Sequence, residues 1–404
     1  MQDPGKPLSF FQHGMMPKEE TLDREKKQKH FVIGVPRESD PLETRISLTP
    51  QAVHLLVDAG HRVLIERGAG SGARFSDHDY SEAGAEVFSD KGPVFEASIL
   101  LKVSPLTREE IGLLGPGKTI ITGLHLATRD EFYFHDLIRH RVTAIAFELI
   151  RDEAQEVPVL RSMCEIAGTV AVNIGAGLVS SDNYGKGILL GGITGITPAE
   201  VVILGAGTAA EHAARTALGM GAVVKVFDHS ITNLRSLKHF IGQEIYTSVM
   251  HPPVLKKAFE TADLVISTLQ RLHLDTFYLV PEDLIMCMKP GSALIDIHVD
   301  QGSSFETGIY ATPQEPVFIR HGVVHYMVPN LPAKVARTAS IALSNVLVPI
   351  LLDKGMCGGI QQLVRDDRGA RQGVYLYNGI LTNDLIGRQF GITSKDIDLL
   401  LSAF

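Results

Sequence analysis

From Phe31 onward the chain alternates short apolar runs with longer stretches of helical period, and turn residues separate them. Phe31–Val35 reads as a strand, and Thr49-Pro50-Gln51 opens a helix, with Thr49 as the cap and Pro50 at the first helical position. Further strands are expected at Val63–Glu66, Ala97–Val103, Thr119–Thr122 and Val142–Phe147. This β-α order implies a parallel sheet covered by helices. The rhythm changes near residue 159. Glu165–Val172 belongs to a long helix rich in small residues, and a loop carrying Gly185, Gly187, Gly191, Gly192 and Gly195 follows. Asp263–Ser267, Ala293–Ile297 and Val324–Val328 are later strands, and a second long helix runs from Val335 to about Leu352.

One stretch carries more than pattern. Val201–Leu204 is an apolar run that enters Gly205-Ala206-Gly207-Thr208-Ala209-Ala210, a helical segment ends near Gly219, and Val223–Phe227 then stops at Asp228. Strand, tight glycine turn, helix, strand and acid form the dinucleotide-binding fingerprint in its full setting. Gly205 permits the turn, Gly207 lets backbone approach a pyrophosphate, and Ala210 fills the third small position, where helix packs on strand. The free N–H groups at the helix start, over Thr208, Ala209 and Ala210, attract phosphate. Asp228 stands where a carboxylate accepts from a ribose 2′-hydroxyl and repels a 2′-phosphate, which favours NAD over NADP. A second glycine cluster, Gly68–Gly72, also follows an apolar run. Its downstream segment is polar without a long helical period, and it reads as a surface turn.

These elements predict an α/β protein with two Rossmann-like, doubly wound parallel-sheet domains. The dinucleotide domain, 159–336, is inserted into a discontinuous substrate domain made of 31–158 and 337–404, and residues 1–30 form a polar extension. The two long helices make the connection, and the cleft between domains is where cofactor and small substrate meet. Composition changes this picture little. The 404 residues are 45% hydrophobic and 21% charged, enough for two cores, and the net charge of −8 with no basic stripe argues against nucleic acid. Ile341–Leu352 carries Ser344, Asn345 and Pro349 and is too short and polar to span a bilayer. The charged N-terminus is unlike a signal peptide. Three dispersed cysteines, Cys164, Cys287 and Cys357, suggest a reducing, cytoplasmic setting and no metal site.

Several polar residues fall at strand ends. Arg45, in the loop after the first strand, suits a substrate carboxylate, or is a surface arginine paired with Glu43. His125 follows an apolar strand and suits proton transfer, or is a half-buried hydrogen-bonded histidine. Asp300 is a base on water or ammonium, or a turn acid. Asn330, between Pro329 and Pro332, contacts nicotinamide or makes a plain Asn turn. Lys102 polarises a keto oxygen or snorkels at the surface, and Ser104 shares its face.

Taken together, these residues resemble alanine dehydrogenases, relatives of the NAD-binding alpha subunit of proton-translocating transhydrogenase. The likeness covers roughly residues 31–350: IGVPRE at 33–38, TRISLTP at 44–50, LLKV at 100–103, HLA at 125–127, EIAG at 165–168, LGAGTA at 204–209, DIHVDQG at 296–302 and VPNLPAKVARTAS at 328–340. The resemblance implies that Arg45 holds the substrate carboxylate, His125 is the acid/base, and Asp300 assists proton transfer. It also implies that Asn330 lies by the ring and that Asp228 binds the adenosine ribose. The implied reaction is reversible, NAD-dependent deamination of a small L-amino acid, most simply alanine to pyruvate and ammonia, in a homo-oligomer with no membrane or nucleic-acid partner.

Departures cluster around the reaction centre. The family motif LKVK has its second lysine replaced by Ser104, Cys164 stands where a cofactor-facing serine is usual, and Ser303 replaces a glycine. The segment after the Leu264–Ser267 strand lacks the expected proline–glycine pattern. Ser104 favours the alternative of a catalytically weak NAD-binding paralogue. A transhydrogenase-type NAD(H)-binding subunit and an opine- or saccharopine-type dehydrogenase are further readings. The unusual C-terminal segment Gly373–Asn383 is expected to cover the cleft or an oligomer interface.

Overall fold

The structure is a computed structural model that describes residues 30–269, 280–352 and 359–402. The N-terminal extension, Cys357 and most of the segment after Ser267 therefore lie outside the described residues. Six parallel strands build the first sheet: β1 (Val32–Val35), β2 (Arg62–Glu66), β3 (Glu86–Phe88), β4 (Ile99–Leu101), β5 (Thr119–Thr122) and β6 (Thr143–Ala146). The second sheet holds β7 (Glu200–Leu204), β8 (Val223–Asp228), β9 (Tyr246–Val249), β10 (Leu264–Ser267), β11 (Ala293–Asp296), β12 (Val317–Arg320) and β13 (Val323–Tyr326). The chain then returns to the first sheet with β14 (Val374–Tyr377) and β15 (Ile380–Leu381).

The orders are β15-β14-β6-β5-β4-β1-β2-β3 and β12-β13-β11-β10-β7-β8-β9. Among the parallel strands of each, the order reverses once, between β1 and β4 and between β7 and β10, while β12 adds an antiparallel edge to the second. Such a switch point opens a crevice at the carboxyl ends of the strands, where α/β proteins bind ligands. β4, β5 and β6 are buried along their whole length, as expected of strands covered on both faces.

Four helices support the strand ends and join the two sheets. In α1 (Pro50–Asp58) the Thr49 hydroxyl accepts from the Ala52 amide and Pro50 occupies the first turn. The long α2 (Pro158–Ser180) lies along α3 (Thr208–Gly219), and α4 (Ala336–Leu352) packs on both α2 and α1. Closeness of α2 and α3 depends on Gly168: a Cβ there would sit 2.1 Å from the Ala209 carbonyl oxygen and 2.9 Å from the Ala213 nitrogen. By length and composition alone, Pro158–Ser180 and Leu331–Leu352 are apolar enough to cross a membrane, because turn residues 331–335 extend the second stretch beyond Ile341–Leu352. Both serve as core helices, burying among others Ala171, Val172, Leu343 and Leu347.

Two expectations are corrected. Of the two places expected for Gly373–Asn383, the cleft gives way to the edge of the first sheet, which β14 extends by pairing antiparallel with β6, and β15 with β14. Its four residues Val374–Tyr377 are all buried, which is why it reads as apolar without helical period. The Gly68–Gly72 cluster is also more than a surface turn. A Cβ on Gly72 would lie 2.5 Å from the Thr44 carbonyl oxygen, so the glycine lets this turn pack against the loop that carries Arg45.

Candidate active site

Every candidate residue, Cys164 apart, falls at or beyond the carboxyl end of a strand or at the start of α3. Arg45 lies in the loop after β1, Lys102 and Ser104 after β4, and His125 after β5. The Gly205 turn follows β7, Asp228 closes β8, Asp300 follows β11 and Asn330 follows β13.

Arg45 is buried, not at the surface, and its partner is Glu43. Its Nε donates to Glu43 Oε1 at 2.7 Å, its NH2 to Oε2 at 2.6 Å, and its backbone amide also to Oε1 at 3.0 Å. One edge of the guanidinium is thus committed, and NH1 points at the Met163 sulfur of α2, 3.2 Å away. The Nε edge is therefore closed to any further acceptor, which leaves the NH1/NH2 end for a bidentate partner. Burial alone would push the Glu43 carboxyl up, but the Arg45 charge and hydrogen bonds outweigh it and hold the carboxyl below its usual range.

Asn330 joins the same group. Its Nδ2 donates to Glu43 Oε2 at 3.1 Å, and the Thr44 hydroxyl donates to the Ala333 carbonyl at 2.6 Å. The Ile46 amide donates to the Ser340 hydroxyl at 2.9 Å. The Arg45 loop is thereby tied to the segment that leaves the second sheet. Asn330 and His125 both adopt left-handed backbone, φ 56° and 46°, a region that Asn and His tolerate better than most residues and that often marks functional sites.

His125 begins a short turn, and its imidazole pKa is pushed down by burial and then by the positive charge of Arg45. The residue as a whole is solvent-exposed. Asp300 shows the same combination: exposed, with its carboxyl raised by burial. No hydrogen bond joins Asp300 to Arg45, His125 or Asn330 among the described residues. Asp300 and Asp40 both act on Tyr310, and Asp40 acts weakly on His125. The Asp300 turn itself hangs from Asp296, a fully buried carboxylate that accepts from the Ser304 amide at 2.8 Å, the Ser304 hydroxyl at 2.9 Å and the Ser303 hydroxyl at 3.1 Å.

Lys102 is placed differently from either expectation. Its side chain is fully enclosed; Nζ donates to Glu110 at 2.9 Å and to Ser39 at 3.0 Å. An ammonium in that position needs a paired acid, so a substrate would have to displace Glu110 to reach it. Ser104 does not take over: its hydroxyl is buried without a hydrogen-bond partner, and its amide donates to Glu38 at 3.1 Å. Glu38 also accepts from the Val103 amide at 2.6 Å, and burial pushes its carboxyl up to about 7. Sequence reasoning passed over Glu38 and Met163, and it saw Glu43 only as a surface partner. The spacing Glu43-Thr44-Arg45 was the available signal, but burial cannot be read from it.

The nucleotide side fits a dinucleotide. Gly205 has φ 98°, and a Cβ would strike the Thr268 hydroxyl at 2.4 Å. Nothing lies within 4 Å of the Cβ position of Gly207, so backbone there faces open space. Ala209 and Ala210 bury their methyl groups in the core, so at these positions only backbone N–H is offered to a ligand, together with half-buried Thr208. Asp228 holds the turn, accepting from the Ala206 and Ser230 amides, each at 2.7 Å. Cys164 packs partly buried against the second-sheet core, its thiol pushed up to about 11 by burial.

Comparison with known proteins identifies the family. Residues 34–167 match the family described as alanine dehydrogenase/PNT, N-terminal domain, and residues 171–384 match its C-terminal domain. The chain belongs to the alanine dehydrogenase/PNT family. It is 38% identical over 362 residues to alanine dehydrogenase of Bacillus subtilis (strain 168), covering 89% of this chain and 95% of that protein. Alanine dehydrogenase 2 of Staphylococcus aureus (strain USA300) is 36% identical over 370 residues, covering 91% and 98%. Among solved structures, an L-alanine dehydrogenase superposes with a TM-score of 0.83 at 34% identity, over 88% of this chain and 98% of that one. A transhydrogenase from Sinorhizobium meliloti shares the fold, with a TM-score of 0.74 at 24% identity over 88% and 99%. Family membership makes the protein an alanine dehydrogenase-like oxidoreductase whose cofactor is a nicotinamide dinucleotide.

Proposed function

We propose that the protein catalyses reversible, NAD-dependent oxidative deamination of a small L-amino acid, most simply L-alanine to pyruvate and ammonia. The observation that carries this reading is the convergence of Arg45, Glu43 and Asn330 in one hydrogen-bonded group whose charge acts directly on His125. When bound, NAD supplies the hydride acceptor. The residues do the rest. The NH1/NH2 end of Arg45 holds the substrate carboxylate and so fixes which face of Cα is presented. Loss of hydride from Cα leaves an iminium; water adds to its carbon, and ammonia departs from the nitrogen-protonated carbinolamine as its hydroxyl gives a proton to His125, which has by then released the first to solvent. His125, held neutral near pH 7 by its lowered pKa, takes the proton from that water. Asp300, on the opposite lobe, takes or returns the proton at nitrogen. Asp228 at the end of β8 favours NAD over NADP by charge.

Purified protein with NADH, ammonia and a panel of 2-keto acids tests the reading through the nicotinamide absorbance. Oxidation dependent on pyruvate or a small homologue is expected. NADH binding without turnover on any acid would overturn it. A second reading, an NAD-binding paralogue with weak turnover, draws on one specific observation: Lys102 is consumed by Glu110 and the Ser104 hydroxyl offers no cation in its place.

A further inference from the structure

Glu148 lies in the short turn Phe147–Leu149 after β6, outside the family-like segments named above. Its Oε1 accepts from the Leu124 amide at 2.6 Å and, more weakly, from the His125 amide at 3.4 Å. On the far side, the His125 carbonyl accepts from the Thr128 amide at 3.0 Å and the Thr128 hydroxyl at 2.9 Å. Both peptide units flanking the His125 Cα are therefore held while that residue sits at φ 46°, ψ 52°. The imidazole in turn lies over Gly123: a Cβ there would be 3.1 Å from Nε2 and 2.8 Å from the Val103 carbonyl oxygen. The second carboxylate oxygen, Oε2, is buried with no hydrogen-bond partner. A carboxylate with one orphaned oxygen is a poor choice for stability alone, and a buried polar group left in that state calls for another explanation. The charged or titratable groups that act with it are Arg45 on the β1 loop, Tyr133 on the helix Glu131–Arg139 that precedes β6, and Tyr375 on β14.

We infer that Glu148 is a positioning residue for His125, acting as the acceptor that fixes the 124–125 backbone and through it the direction of the imidazole. The inference rests on the reading that His125 moves the proton. It separates acceptor from charge: glutamine keeps the acceptor, whereas methionine keeps only the volume.

The test compares Glu148→Gln and Glu148→Met in the full-length protein. Glu148→Met is expected to lower kcat about 100-fold, the scale of loss from misplacing a reacting group by about an ångström. KM for the keto acid and the NADH dissociation constant should stay within about threefold. Glu148→Gln is expected to remain within about tenfold of the parent kcat. Full kcat in Glu148→Met, or equal loss in both variants, would overturn the inference. Should Glu148→Met fail to fold, Glu148→Gln decides alone, because a 100-fold loss there contradicts an acceptor role. His125→Asn separates the two claims. Retained turnover in it removes the reading of His125, whereas its inactivity beside a fully active Glu148→Met removes only the positioning role. If no keto acid is turned over, crystal structures decide: His125 leaving the left-handed region in Glu148→Met supports the inference, and an unmoved backbone refutes it.

Discussion

At the scale of residues, the site is organised by one buried ion pair. Glu43 and Arg45 are 6% and 8% exposed, so each depends on the other for neutralisation. Glu43 also acts on His125 in the direction opposite to Arg45, since a nearby negative charge favours the imidazolium. Glu43→Gln is therefore expected to do two things. Leaving Arg45 without its counter-charge costs about 3 kcal/mol of stability, measurable by urea denaturation. Removing a negative charge also lowers the His125 pKa further, so the acid limb of the deamination rate, where the base form is lost, moves to lower pH. A limb that moves upward would show that another group titrates there. Much of this was visible beforehand: an arginine two residues after a glutamate, a histidine closing an apolar strand, an asparagine between prolines. What sequence could not give was depth. Lys102 looked like either a substrate ligand or a surface side chain, and became an internal ion-pair partner because Glu110, eight residues on, caps a short helix that folds back over it.

At the scale of elements, legibility followed burial. Strands inside the sheets, such as β5, β7 and β11, are continuous apolar runs and were readable. β3, β9 and β12 were not, because each lies at or beside a sheet edge and exposes part of its length. β14 is buried throughout, yet its antiparallel place beside β6 follows from tertiary pairing that no local pattern encodes. Helix packing gives a sharper case. The glycine turn presents its N–H groups only if α3 is held against α2, and Gly168 is the close-contact point. Gly168→Ala places a methyl 2.1 Å from the Ala209 carbonyl oxygen. The expected cost is about 1–3 kcal/mol, as for overpacking elsewhere. NADH affinity should fall with it, because the first turn of α3 must shift. Gly177, in the same helix, has nothing within 4 Å of its Cβ position, so Gly177→Ala should leave affinity unchanged and stability equal or higher. Fluorescence titration with NADH beside thermal melting of the two variants checks this, and equal effects would remove the packing argument.

At the scale of the whole molecule, the chain builds one sheet, leaves it to build a second, and returns. Fold class was legible because two β-α series flank the glycine fingerprint. The return was less so, because residues 374–381 join a sheet whose other strands end at Ala146. This architecture has a consequence for stability. Tyr375 is fully buried, packs edge-on against Phe134 with ring centroids 6.3 Å apart, and brings its hydroxyl within 3.5 Å of that of Tyr133. None of these partners belongs to the second sheet. Tyr375→Ala is expected to cost about 3–5 kcal/mol, the usual range for losing a buried aromatic ring. The loss falls on the first sheet alone, so melting should cease to be a single transition, as happens when parts of a larger protein lose their coupling. On the roles proposed for Arg45 and His125, which the first sheet carries, turnover should disappear at a lower temperature than NADH binding, for which the proposed residues lie around the second. Followed together on heating, keto-acid reduction and nicotinamide fluorescence should coincide in the parent and separate in the variant. Simultaneous loss in both would mean that α2 and α4 couple the sheets strongly enough for a defect in one to unfold the other.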